Sequence, residues 1–338
     1  MDLFDDAQDM NKLLKAFYLY YRNTSWKAGV QSWEMFHLCH LNNLRKSLKN
    51  GTYKHDPCNE FFIIERGVKR CIDALTTKDS VLHRELAEFQ IGDLVSKSLI
   101  YDNGANLKDK GVAFTRKRVK KFLVRFMNKH GLNGYVLTTD FSGYYASIRH
   151  DILMDDLRKI ISDERLLKLL EAGLKQYGEE VRIGLGSPLS TFYALLYGDK
   201  TDRFCTCVKG CPNYIRHADD IWMAHESREF LENLLQELSI EAAKKGLKLN
   251  LKKTKIRSLS RGFTFLKVRY VITKDTHKIL ELPNKKIFIK EKRKLKHGIQ
   301  NRGSQYYSWR RSLKRFDCHK KLIKLDSFYK EIKENEQS

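Results

Sequence analysis

An α+β fold is what this sequence predicts, on three observations. Short β-prone runs, among them Gly134–Asp140 and Tyr214–Ala224, lie in the central part of the chain. Segments with apolar residues at helical spacing are mixed with them. Both ends of the chain read as helical.

The chain has 338 residues, enough for one large domain or for two to three lobes. It is 42% hydrophobic and 31% charged, which makes it globular. Its net charge of +23 is spread along the chain, the footprint of a polyanion partner, nucleic acid before a membrane surface. Aromatics interleaved with the basic residues add surfaces on which bases stack. The start, Met1-Asp2-Leu3-Phe4-Asp5-Asp6, is acidic where a targeting segment is basic. No apolar run approaches the roughly 20 residues that span a bilayer. A cytoplasmic location without a membrane partner is the expectation. Seven cysteines, an odd count, argue against a disulfide framework.

In order, residues 8–50 read as helical, with Leu13, Leu14, Phe17, Tyr18 and Tyr21, then Phe36, Leu41, Leu44 and Leu48, near helical spacing. Asn50-Gly51 ends the second helix. Glu60–Ile72 reads as a hairpin with a basic turn. Residues 78–99 form an amphipathic helix, and Tyr101–Gly111 a loop. Residues 112–130 set Arg116, Lys117, Arg118, Lys120, Lys121, Arg125 and Lys129 against Val119, Phe122, Leu123 and Phe126. This density of like charge suits a helix against a phosphate backbone, with a solvated face as the plain alternative. Gly134–Asp140 is a strand. Helices follow at 151–176, 189–204 and 228–246, then a strand near Phe263–Ile272. Residues 285–330 are helical and very basic.

Within Tyr214–Ala224, two β-prone runs flank Asp219-Asp220 and predict a hairpin with the pair at or beside its turn. Adjacent carboxylates repel, and such a pair usually wants a cation. On its own, Asp-Asp at a turn is common and carries no chemistry. A third carboxylate, Asp140, ends a strand earlier in the chain, and a strand end presents its side chain to a cleft. Carboxylates meeting there would hold two divalent cations about 4 Å apart, which activate an attacking 3′-hydroxyl and stabilise a leaving pyrophosphate.

Six stretches in order resemble reverse transcriptases. Asp140-Phe141-Ser142-Gly143-Tyr144-Tyr145 looks like the first palm motif, and Leu185-Gly186-Ser187-Pro188-Leu189-Ser190 like the second. His217-Ala218-Asp219-Asp220 resembles the third, Gly246–Lys255 the fourth and Phe263–Lys267 the fifth, the primer-grip hairpin. Val68–Ile72 resembles the basic fingers strand. The resemblance covers roughly residues 60–330.

It implies a right-hand polymerase: a helical N-terminal extension (1–59), fingers (60–130), a palm with an antiparallel, RRM-like sheet (131–262), and a primer grip with a basic helical thumb (263–338). Asp140 and Asp219 would ligate two Mg²⁺ ions (Mn²⁺ in their place is open), Asp220 would stand beside them and Phe141 would offer its carbonyl. Tyr145 would be the steric gate against a 2′-hydroxyl, or else a core aromatic. Lys69 and Arg70 would clamp the dNTP triphosphate. Leu185, Gly186 and Ser190 would border the nucleotide. Lys253 or Lys255 would assist the pyrophosphate, Lys255 being carried forward. His217, Phe265, Leu266, Arg310 and Arg311 would meet primer and template. The implied partners are an RNA template or cognate non-coding RNA, a DNA primer or product, and dNTPs, with an accessory protein or homo-oligomer left open.

The departures matter. His217 replaces the usual Tyr, and Lys267 stands where Gly is frequent. Leu185 stands where many retroviral-type enzymes carry Gln, which resembles the mutagenic enzymes of diversity-generating retroelements; Pro188 and Thr191 leave that pattern. The chain also resembles prokaryotic defence-associated, abortive-infection-type enzymes. Antiphage defence with a non-coding RNA is the favoured role, diversity generation the alternative, and a catalytically weak RNA-binding scaffold the alternative of another class. Cys205, Cys207 and Cys211 have an unusual spacing for zinc, and reduced thiols are the simpler reading.

Overall fold

The computed structural model describes residues 2–65, 67–297 and 301–337. Four helices lead: α1 (Leu3–Asp6), α2 (Met10–Thr24), α3 (Ala28–Met35) and α4 (His37–Lys49). Asp9 caps α2 by accepting from the Lys12 amide at 2.9 Å. The antiparallel hairpin β1 (Asn59–Glu65) and β2 (Val68–Ala74) follows. It leaves Phe61, Phe62, Ile63 and Ile64 exposed. The helix read over 78–99 is α5 (Thr77–Glu85) and α6 (Gly92–Ser98), joined by a π-helical stretch at Leu86–Ile91. α7 (Val112–His130) is the basic helix, with Val119, Phe122, Leu123 and Phe126 buried.

β3 (Tyr135–Asp140) comes next. One helix over 151–176 was the expectation; two form, α8 (His150–Arg158) and α9 (Glu164–Lys175). Asp163 interrupts them, because its carboxylate accepts from the amides of Arg165 and Leu166 at 3.0 and 3.2 Å and starts a new helix. α10 (Pro188–Tyr197) and α11 (Asp199–Arg203) precede β4 (Tyr214–His217), β5 (Asp220–His225) and α12 (Arg228–Lys244). Then come β6 (Lys255–Ser258), β7 (Phe263–Phe265), β8 (Val268–Ile272) and β9 (Ile279–Pro283), and last α13 (Lys285–His297), α14 (Arg302–Leu313) and α15 (His319–Gln337). β6 and β9 escape a sequence reading because each is short and interrupted by polar residues.

The central sheet runs β4-β5-β3-β6, antiparallel throughout. Alternation on its strands feeds two cores. Leu137, Ile221 and Met223 join residues of α8, α10 and α12. Val136, Trp222 and Ala224 face the other way, toward residues of α7, β7 and β8. Both faces are therefore covered, and function is left to the ends and edges of the sheet. The outer edge of β4 is covered by residues 102–104: Gly104 donates to the Arg216 carbonyl at 2.8 Å, and Arg216 to that of Asp102 at 3.1 Å. A second sheet, β7-β8-β9, turns at Leu266-Lys267, both with left-handed φ of 44° and 66°. α13, α14 and α15 share a third core around Leu295, Tyr306, Leu313, Leu325 and Tyr329. Among the described residues, no helix is long and apolar enough to cross a membrane.

Candidate active site

The β4–β5 hairpin turns through Ala218 and Asp219, with His217 opposite Asp220. Ala218 has φ 56°, a left-handed conformation that costs a non-glycine residue about 1–2 kcal/mol. Arg216 holds it there. Its Nη1 donates to the Ala218 carbonyl at 2.9 Å, and its Nη2 to that of Leu195 at 2.8 Å. Nε and Nη2 also grip the two oxygens of Asp202 at 2.7 and 2.8 Å. Both side chains are fully buried. Burial works against the charged guanidinium, and the charge of Asp202 more than offsets it, so the Arg216 pKa is raised. Space for this group is left by Gly198, where a Cβ would lie 2.5 Å from the Arg216 Cζ.

β3 sets Asp140 directly opposite Asp220. Backbone bonds fix the neighbourhood: Asn250 donates to the Asp140 carbonyl at 2.8 Å, Ser142 to that of Lys248 at 2.8 Å, and Phe141 to that of Asp219 at 3.3 Å. Lys253 pairs with Oδ2 of Asp140. Oδ1 of Asp140 is buried with no hydrogen-bond partner. Burial raises the Asp140 carboxyl above its usual range, against the bond from Lys253. Burial, with the charges of Asp219 and Asp140, pushes Asp220 up to about 7. A buried carboxylate oxygen left unpaired beside two further carboxylates is a hard donor set that fits Mg²⁺ or Mn²⁺. The three are not drawn tightly together. Among the described residues, the set of three potential ligands with donor atoms within 4.8 Å of one another is Glu60, Cys71 and Asp73, where Arg182 already supplies the positive charge.

Beside the carboxylates, Tyr145 is half-buried. Burial raises its hydroxyl, against a hydrogen bond with Thr191, and the Asp219 charge adds to the shift. Leu185 is tied to β2 by two bonds: its amide donates to Oδ2 of Asp73 at 3.0 Å, and its carbonyl accepts from the Asp73 amide at 3.3 Å. Arg182, with φ 94°, bonds Asp73 and reaches Glu60 at 3.0 Å. Gly186 is exposed with φ 117°, and this conformation rather than crowding calls for glycine. Ser190 is buried, its hydroxyl without a partner. Lys69 and Arg70 stand exposed on β2, the Lys69 ammonium 4.0 Å from the centre of the Phe62 ring.

Not every other expected site residue meets the carboxylates. Of the two lysines left open, Lys253 meets the carboxylates. Lys255 stands exposed on β6 opposite Thr138, whereas Lys253 lies in the turn before that strand. His217 is half-buried with Nδ1 2.9 Å from the Thr115 hydroxyl of α7, and burial lowers its pKa. Phe265 is buried and Leu266 half-buried at the β7–β8 turn. Arg310 does not offer a free charge to nucleic acid: its Nε and Nη2 both bond Asp326 at 2.8 Å, joining α14 to α15. Arg311 is exposed. Cys205 and Cys211 are buried and Cys207 exposed; burial holds the Cys211 thiol up at about 11, so it packs as a small apolar group. Arg216, Asp202, Asp73 and Arg182 were not anticipated. Arg216 beside Asp-Asp was the one visible signal, since an arginine inside a buried β run needs a partner.

A family profile described as Reverse transcriptase (RNA-dependent DNA polymerase) matches residues 66–271. No curated protein sequence matches the chain. Among solved structures, similarity extends to apo telomerase from Candida tropicalis truncated from its C-terminal domain, at 14% identity and TM-score 0.50, over 72% of this chain and 60% of that one. Telomerase from Candida albicans in complex with a TWJ fragment of telomeric RNA gives 12% identity and TM-score 0.53, over 83% and 61%. A further apo telomerase structure from Candida tropicalis gives 12% and 0.52, over 74% and 53%. The chain thus spans less than two thirds of these telomerases, and at such identity the likeness is one of fold.

Proposed function

From the premise that the chain belongs to the reverse transcriptase family, a family of nucleotidyltransferases, we propose that it extends a DNA primer 3′-hydroxyl with dNTPs on an RNA template. The observation that carries this reading is Asp140: buried, facing Asp220, with one oxygen unpaired. Asp140 and Asp219 would hold the divalent cations, with Asp220 beside them and the Phe141 carbonyl as a further donor. When bound, these ions supply Lewis-acid stabilisation of the charge that develops in phosphoryl transfer. Lys253 opposes the rise that burial imposes on the Asp140 carboxyl. Tyr145, Leu185 and Gly186 border the nucleotide, while Lys69 and Arg70 take its phosphates. In this reading the β1–β2 hairpin belongs to the fingers, the central sheet to the palm and α13–α15 to the thumb.

The test is primer extension on a defined RNA template with Mg²⁺. Asp219→Ala is expected to abolish extension while the fold, by circular dichroism, is kept. Full extension by that variant would remove the catalytic assignment and favour an RNA-binding scaffold. For the biological role we favour antiphage defence with a cognate non-coding RNA, supported by His217 and Thr191. Leu185 supports the alternative of diversity generation. Sequencing the cDNA made in cells separates them: adenine-directed errors would sink the first reading.

A further inference from the structure

β6 is the outer strand of the central sheet, and among the described residues its strand partner is β3 alone, so its other edge has no strand beside it. A cavity of about 860 Å³ lies along that edge, lined by Tyr135, Thr254 and Ser258 and by the cations Lys255, Arg257 and Arg261. None of these three cations has an acidic partner among the described residues. Arg228, on the same wall, is held by Glu232 at 2.8 Å. Arg269 on β8 adds to the field: its guanidinium bonds the Arg261 carbonyl, and burial, with the like charge of Arg257, lowers its pKa. Like charges gather here without neutralisation, at a cost in self-repulsion. The cavity follows β6 from Lys255, paired with Thr138, back to Ser258, paired with Tyr135, which lies roughly 16 Å along β3 from Asp140 at strand spacing.

We propose that this edge cavity is a second nucleic-acid site, taking the phosphodiester backbone of a single strand while template and primer occupy the cleft at the carboxylates. Arg257 and Arg261 contact phosphates. Tyr135 offers a ring to a base, and Ser258 and Thr254 offer hydroxyls to the sugar. RNA and single-stranded DNA share the phosphate chemistry; a 2′-hydroxyl adds a partner for the serine and threonine. A protein strand pairing with the open edge is disfavoured by the row of unpaired cations, which a neutral strand would leave unmatched.

The site is tested by binding alone, without dNTPs or divalent cations, so its outcome is independent of whether the carboxylates catalyse. Full-length protein is saturated with an unlabelled template–primer duplex, then titrated with labelled single strands, RNA and DNA in separate arms. The double variant Arg257→Glu/Arg261→Glu is expected to bind the strand at least tenfold more weakly. Arg257→Gln/Arg261→Gln, a milder change, is expected to lower the slope of log affinity against log salt by about 1.4. Circular dichroism and affinity for the template–primer duplex stay unchanged in both, which shows that the fold is intact. Tighter binding of RNA than DNA assigns the hydroxyl contacts, and equal binding assigns the phosphates alone. Unchanged affinity and salt slope overturn the proposal. So does loss of self-association with strand binding intact, which would make the edge a protein contact.

Discussion

Arg216 donates a hydrogen bond of 2.9 Å to the carbonyl of Ala218, the residue before Asp219, and Ala218 is left-handed with φ 56°. The conformation that aims Asp219 is thus maintained from beneath by a buried cation. Arg216→Lys keeps a charge for Asp202 but loses the planar fork. The variant is expected to fold, with stability lowered by about 2–3 kcal/mol. Extension is expected to fall at least tenfold in kcat with little change in the KM for dNTPs, and higher Mg²⁺ should partly restore it. A stability loss with unchanged kcat would make the contact purely structural.

The Lys253–Asp140 pair separates activity from stability. Lys253 is largely exposed, so the pair adds little to folding. Lys253→Gln should leave the melting temperature within about 2 °C. It should reduce kcat roughly tenfold or more through the loss of a positioned charge. Lys255→Gln should leave kcat within about threefold. Equal losses in the two variants would contradict the placement.

Asp220 sets a pH dependence. Its carboxyl is pushed to about 7 from an ordinary 3.8, so below about 7 it holds a proton that a cation must displace. The Mg²⁺ concentration for half-maximal extension should fall as pH rises from 6 to 7, by up to about tenfold per unit, and level off above. Without metal the sign for folding is opposite: the protonated group's contribution is full below 3.8 and is lost as pH rises through about 7. Asp220→Asn should flatten both curves between pH 6 and 8. A steep residual dependence there would point to another group.

Asp73 connects the β1–β2 hairpin to Leu185. Asp73→Asn keeps the size and loses the charge that Arg182 reads. A rise of about fivefold in the KM for dNTPs is expected, at a stability cost of about 1.5–3 kcal/mol. Steady-state kinetics with each dNTP checks it; an unchanged KM would detach the hairpin from nucleotide binding.

Arg310 and Arg311 are neighbours with different expected effects. Arg310→Ala breaks a partly exposed pair with Asp326 and should lower stability only slightly, with nucleic-acid affinity retained. Arg311→Ala should leave stability alone and lower the salt slope of binding by about 1. Melting curves and salt titrations distinguish them.

Local patterns legible in the sequence held where a residue type has one structural meaning. The carboxylate hairpin, the strand ending at Asp140 and the basic helix α7 follow from alternation and helical spacing. What stayed hidden depends on distant pairing. Nothing local marks Asp202 as the partner of Arg216, or Asp73 as the anchor of Leu185. β6 has the composition of a loop and becomes a strand because β3 supplies its hydrogen bonds. The split between Lys253 and Lys255 depends on where β6 starts: Lys253 stays in the preceding turn, which reaches Asp140, and Lys255 enters the strand.

The Arg216–Asp202 pair also bears on how this lineage can change. Losing either partner alone strands a buried charge at about 3–5 kcal/mol, a large share of a typical domain's stability. Gly198 is bound to the same constraint, because any side chain there meets the guanidinium. Divergent copies should therefore keep all three residues or replace them together, while the exposed lysines around them drift.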